Sequence, residues 1–237
     1  MKKIFLASTL IALAVSFLMP RSAFAFLDLT TAGASGTING GFYIQINPSS
    51  TGTGVIDSFV RLSAKDTEQA YNTSGSPVPF DGDNSPFTRD LLLSEVPIVN
   101  LSGTDYRQFL LDINQSNPDL ISLDQIKIYL GTTSEVTSTD LSNGGPLGTL
   151  IYSLDGAGDT YIKMDFSLNH GSGSGDMFAY IPNSLFTGPG SQFVYLYSQF
   201  GTTMFLTTVL KNGLSLGDLL QLMSSRNRPP CYYSALV

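Results

Sequence analysis

The sequence predicts an all-β protein: a two-sheet, mainly antiparallel β-sandwich, jelly-roll-like in layout and preceded by a signal peptide. Three observations carry that reading. Apolar residues recur with period two in several runs, as in "YIKMDFSLN", where Ile162, Met164, Phe166 and Leu168 share one face and Lys163, Asp165, Ser167 and Asn169 the other. Between the runs stand clusters of turn formers. The chain, at 237 residues, is long enough for one such domain with a sizeable core.

Residues 1–25 read as the export signal. Lys2 and Lys3 precede an apolar run from Ile4 to Met19, and Ala23-Phe24-Ala25 supplies the small-x-small pattern of a cleavage site, with Ala23 and Ala25 as its small residues. The rival reading, an uncleaved transmembrane helix, asks for roughly 20 apolar residues, and Pro20 ends this run short of that. Signal peptidase and the export machinery are therefore expected partners, and the mature chain begins at Phe26.

Residues 26–200 form the expected sandwich domain. Phe42, Ile44 and Ile46 alternate with Tyr43, Gln45 and Asn47; Phe109, Leu111 and Ile113 with Gln108, Asp112 and Asn114; Ile126, Ile128 and Leu130 with Lys127 and Tyr129. "GTLIYSLD" and "FVYLYSQF" are apolar on both faces and suit central strands. The segments "NPSSTGTG", "FDGDNSP", "SNGGP", "DGAGD", "HGSGSGD" and "TGPGS" supply the turns. A single helical turn at "SLDQI", capped by Ser122, is the one expected departure.

Charge excludes one class of partner. The chain carries 12 Lys and Arg against 19 Asp and Glu, a formal charge of −7, and loss of Lys2, Lys3 and Arg21 with the signal takes it to −10. Phosphate backbones would be repelled, so no nucleic-acid role is expected. The single cysteine, Cys231, has no intrachain partner for a disulfide.

No catalytic constellation emerges. His170 is the only histidine, so any Ser-His-Asp or Cys-His chemistry would have to use it, and it lies in a glycine-rich loop. Asp81 and Asp83, with Asn84, offer clustered oxygens of the kind calcium prefers, to which Asp176 and loop carbonyls could add. The competing reading is a polar turn, because Leu92 stands where an EF-hand needs its bidentate Glu. The only glutamates, Glu68, Glu95 and Glu135, match no glycosidase motif, so a carbohydrate hydrolase is kept as the alternative rather than the main reading. Eight tyrosines at strand-like positions, including Tyr43, Tyr106, Tyr152 and Tyr180, could stack on sugar rings or simply fill the core. A close pair of buried carboxylates in a cleft would favour the enzyme, a flat aromatic strip the binder.

At "TGVIDSFVRL", "PIVNLSGTDYRQFLLDINQ", "YIKMDFSLNHGSGSGDMFAYIPNSLF" and "VYLYSQFG" the chain resembles PEP-CTERM proteins, exported by Gram-negative bacteria that produce exopolysaccharide and biofilm. That resemblance implies an exported, uncharacterised matrix or cell-envelope protein whose end is processed by an exosortase at a Pro-Glu-Pro motif. The motif is missing here. Read one base out of register, however, the codons for Leu206 through Leu214 are able to spell a segment resembling the "DGFEEWA" of related proteins. Ser225 through Tyr233 are likewise able to spell Pro-Glu-Pro. A single-base frameshift near Gly201 accounts for both, making residues 201–237 an out-of-frame tail expected to be poorly ordered or loosely docked.

Overall fold

The structure, a computed structural model, describes residues 25–46, 58–63, 67–114, 120–169, 175–201 and 232–236. Their strands, in chain order, are β1 (Ala25–Leu29), β2 (Ser35–Ile38), β3 (Gly41–Gln45), β4 (Ser58–Leu62), β5 (Glu68–Tyr71), β6 (Ile98–Leu101), β7 (Thr104–Asn114), β8 (Leu120–Gly131), β9 (Thr149–Ser153), β10 (Thr160–Asp165), β11 (Met177–Pro182), β12 (Phe193–Phe200) and β13 (Tyr232–Leu236).

Two sheets result. The six-stranded sheet runs β1-β10-β8-β12-β5, with β9 also on β8; the seven-stranded sheet runs β2-β3-β11-β7-β13-β4, with β6 also on β7. The β1–β10 pair is parallel and the other described pairings are antiparallel, so the all-β, mainly antiparallel sandwich is the fold.

The core lies between the sheets. Phe109, Leu111 and Ile113 of β7, Ile126 and Ile128 of β8, Ile162 and Met164 of β10 and Val194 and Leu196 of β12 are buried in one cluster, as the period-two pattern requires. Each such aliphatic side chain contributes about 1.5–3 kcal/mol by leaving water. Across the gap, the Tyr43 hydroxyl of β3 meets that of Tyr152 of β9 at 2.6 Å, and the Tyr152 hydroxyl lies 2.9 Å from the Ile38 carbonyl. Gly41 makes room for this contact, since a Cβ there would stand 2.6 Å from the Tyr152 hydroxyl oxygen. Beyond β5, the Asn72 side chain extends the sheet: its Nδ2 donates to the Val194 carbonyl at 2.8 Å and its Oδ1 accepts from the Leu196 amide at 2.7 Å.

Four expectations change. The β10 strand stops at Asp165, whose side chain accepts from the Ser167 amide and caps a single 3-10 turn over Phe166–Leu168; Phe166 is buried and Leu168 only half-buried. "SLDQI" forms no helical turn, because Ser122 lies within β8, opposite Lys163 of β10. "GTLIYSLD" yields β9, which pairs with β8 alone; its two apolar faces touch two different clusters, Ile151 the main core and Leu150 a smaller one.

The fourth concerns the tail. Tyr232–Leu236 was expected to be poorly ordered or loosely docked, yet β13 is hydrogen-bonded on both edges, between β7 and β4. Ladder bonds are made by backbone groups that every non-proline residue carries, so this pairing does not depend on particular side chains. Residues 202–231, with Cys231, lie outside the described residues, as do residues 1–24 with Ala23; Ala25 opens β1.

Candidate functional site

The strand β11 reads Met-Phe-Ala-Tyr-Ile-Pro, and its two aromatic rings face away from the core. Met177, Ala179 and Ile181 are buried between the sheets, while Phe178 and Tyr180 are half-buried on the opposite face. Strand β3 does the same: Tyr43 and Gln45 point inward, Phe42 and Ile44 outward. Register explains it. Tyr43 lies opposite Ala179, so the small side chain on β11 leaves space for the large inward ring on β3. The outward partners are then large, Phe42 opposite Tyr180 and Ile44 opposite Phe178.

On the far side of β11, Tyr180 is opposite Gln108 and Phe178 opposite Leu110, and Tyr106 lies further along β7. The four rings touch in a continuous strip: Phe42 to Tyr180 at 6.0 Å between centroids and 24° between planes, Phe178 to Tyr180 at 5.7 Å, and Tyr106 edge-on to Tyr180 at 6.4 Å. Tyr180 is the hub. Burial among these neighbours pushes its phenol up from the ordinary tyrosine range, so the hydroxyl stays protonated and able to donate.

The other sheet's outer face is closed over β5, β8 and β12. Tyr71, Tyr129, Tyr195 and Tyr197 lie there with Val136 and Leu147 in a second buried cluster, roofed by the 132–148 loop. Their hydroxyls fasten that roof. Tyr71 donates to the Ser138 carbonyl at 2.9 Å, Tyr129 to Leu141 at 2.7 Å and Tyr195 to Thr133 at 2.5 Å. Tyr197 instead donates to the side chain of Gln69 at 2.7 Å. Desolvation pushes Tyr71, Tyr129 and Tyr197 up to about 12, and Tyr195 further. Of the eight candidate tyrosines, then, Tyr43, Tyr129, Tyr152, Tyr195 and Tyr197 serve the interior, Tyr106 and Tyr180 the open strip. Tyr161 stacks on Phe26 at the six-stranded sheet's edge, 5.3 Å between centroids.

At one end of the strip two acids are buried. Asp176, just before β11, has its Oδ2 2.6 Å from the Ile113 amide and lies in the electrostatic reach of Asp112 of β7. Desolvation, the larger cause, and the Asp112 charge raise Asp176 to about 7 against the lowering effect of the amide. Asn169, also buried, ties this corner together by donating to the Ile46 and Gly175 carbonyls at 2.6 and 2.9 Å.

The proposed calcium ligands fall in different surroundings. The Asp81 carboxylate accepts from the Gln69 amide at 3.0 Å, beside β5, and the Asp83 amide donates to the Arg61 carbonyl at 2.8 Å, beside β4. Asp176 sits instead against β7. Among the described residues no three His, Cys, Asp or Glu side chains gather as metal ligands, so these three do not form a joint set. The polar-turn reading accounts for the bonds that Asp81 and Asp83 make. His170 lies outside the described residues.

The aromatic strip was missed as a unit by sequence reasoning. The signal was present in "MFAYIP", where Ala rather than Phe or Tyr takes the inward position. No helix among the described residues is long and apolar enough to cross a membrane. No protein-family model, curated protein or solved structure matches this chain.

Proposed function

We propose that this chain is an exported, non-enzymatic protein of the cell envelope or extracellular polysaccharide matrix of a Gram-negative bacterium, and that it binds carbohydrate on the outer face of its seven-stranded sheet. The observation that carries the proposal is the strip Phe42, Phe178, Tyr180 and Tyr106, half-buried and ring against ring on one sheet face. Connected apolar surface of this kind marks a binding face, and aromatic rings with hydroxyl tips suit a ligand that has apolar ring faces and polar edges. The leader-like residues 1–25 and the resemblance to PEP-CTERM proteins support export and the matrix setting. In this reading signal peptidase is a partner, and an exosortase becomes one where the reading frame near Gly201 is restored.

The hydrolase reading has one observation in its favour, the neighbouring carboxyls of Asp112 and Asp176, with Asp176 raised to about 7. Both are buried, 8% and 6% exposed, and one Asp176 oxygen is already held by a backbone amide. General acid catalysis needs its proton within reach of a substrate oxygen, and burial to this degree argues for a structural pair. The test is co-sedimentation of the purified protein with its host's exopolysaccharide, followed by an assay of reducing ends. Retention on the polymer without release of ends is expected. Time-dependent release that Asp176→Asn abolishes would move the assignment to the hydrolase, and absence of any retention would remove the binding role.

A further inference from the structure

The charges around the strip narrow the ligand class. Strands β2, β3, β6 and β11 contain no Lys, Arg, Asp or Glu at all, and the residues of β7 that share the strip's face are Thr104, Tyr106, Gln108, Leu110 and Asp112. On these strands the charges on that face are acids at one end, buried Asp112 and, just before β11, buried Asp176; Arg61 of β4 shares the face further out, in one cross-strand row with Ser234 and Asp112.

Arg61 apart, the described cations are engaged elsewhere. Arg107, although on β7, points to the opposite side, where its Nη1 donates to the carbonyls of Leu93 and Val96 and its Nε to the side chain of Asn183 at 2.8 Å. Arg61, on β4, lies over the Phe87 ring at 4.2 Å, and Arg89 pairs with Glu95 at 3.2 Å. Lys127 and Lys163 belong to β8 and β10 of the other sheet. Among the described residues, a polymer bearing carboxylates or sulfates would meet no counter-charge on the strip's side of β2, β3, β6, β7 and β11, and would approach a chain of net charge −7. Gln108 and the tyrosine hydroxyls, in contrast, offer neutral donors and acceptors matched to sugar hydroxyls.

Resting on the carbohydrate-binding reading, we propose that the strip takes an uncharged glycan, a neutral or N-acetylated hexose polymer, and discriminates against uronate and sulfated polymers. The interaction is carried by ring contact and neutral hydrogen bonds, so it persists at ionic strengths where charge attraction is screened.

The experiment measures retention of the full chain on cellulose and chitin as uncharged polymers and on alginate as an anionic one. The alginate arm is run with and without millimolar calcium, and all arms at low and at about 1 M sodium chloride, where the Debye length is about 3 Å. Expected are retention on an uncharged polymer that salt does not weaken, and a loss of about tenfold in Tyr180→Ala. Tyr180→Phe, which keeps the ring and removes the hydroxyl, loses less than Tyr180→Ala and so separates ring contact from the hydrogen bond, and a thermal unfolding transition like the wild type's is the folding control for both. Gln108→Lys, which places a cation beside the hub ring, gains alginate retention that salt removes. Wild-type retention on alginate alone, with or without calcium, would overturn the uncharged-ligand inference while leaving the carbohydrate role standing. Binding that Tyr180→Ala leaves unchanged would overturn the assignment of the face, and no retention on any polymer would overturn the carbohydrate role and this inference together.

Discussion

Asp176 shows at the scale of one residue how the strip's end is held. It follows Gly175, whose φ of +67° and close neighbours, with a Cβ position only 2.7 Å from Leu110 Cδ1, admit no larger residue without strain. Because burial raises its folded pKa to about 7 from an unfolded value near 3.8, its contribution to stability is present in full below about pH 4 and is lost as pH rises toward 7. The difference is on the order of 4 kcal/mol between those limits. Thermal unfolding between pH 5 and 8 should therefore show a wild-type melting temperature that falls as pH rises. Asp176→Asn, which keeps an oxygen for the Ile113 amide, should flatten that slope and be the more stable protein at pH 8. Equal slopes in the two proteins would remove Asp176 as the titrating group. None of this was legible in the sequence, where Asp176 read as a calcium ligand, because burial of a loop-edge acid depends on which strands close over it.

Elements were legible where one face is plainly apolar. Phe109, Leu111 and Ile113 of β7 and Ile162 and Met164 of β10 are buried as their alternation demands. Period two separates two faces without saying which is inward, and β3 and β11 show the consequence: Tyr43 and Ala179 take the core while Phe42 and Tyr180 face out, a choice set by cross-strand register. The 132–148 loop was equally hidden, since its anchors are hydroxyl-to-carbonyl bonds from strand tyrosines. Those anchors are testable. Tyr129→Phe and Tyr195→Phe should each lower stability by about 1 kcal/mol and raise amide exchange in residues 132–148 ahead of the strands. With the folded pKa of Tyr71 and Tyr129 at about 12 against about 10 unfolded, their stabilising contribution is intact below pH 10 and lost between pH 10 and 12, and that of Tyr195, raised further, is lost at still higher pH. Urea unfolding of the two variants and exchange mapping check this, and unchanged exchange in the loop would show that the hydroxyls do not hold it.

The whole molecule is asymmetric. Both sheets carry aromatic residues on their outer faces, but on the six-stranded sheet those of β5, β8 and β12 are roofed by the chain's own loop, leaving only the Phe26–Tyr161 pair at its edge, while the seven-stranded sheet's stand half-open on strands with hardly a charge. The sandwich was legible from patterning and length, and its asymmetry was not, because it depends on where one loop folds back. The open strip is the proposed binding face. Its most direct test is a map of aromatic-ring NMR shifts as an uncharged glycan retained by the protein, such as soluble oligomers of cellulose or chitin, is titrated in. Shifts that saturate at the rings of Phe42, Tyr106, Phe178 and Tyr180, with Tyr71, Tyr129 and Tyr195 still, are the predicted result; shifts confined to any other surface, or none, would contradict it.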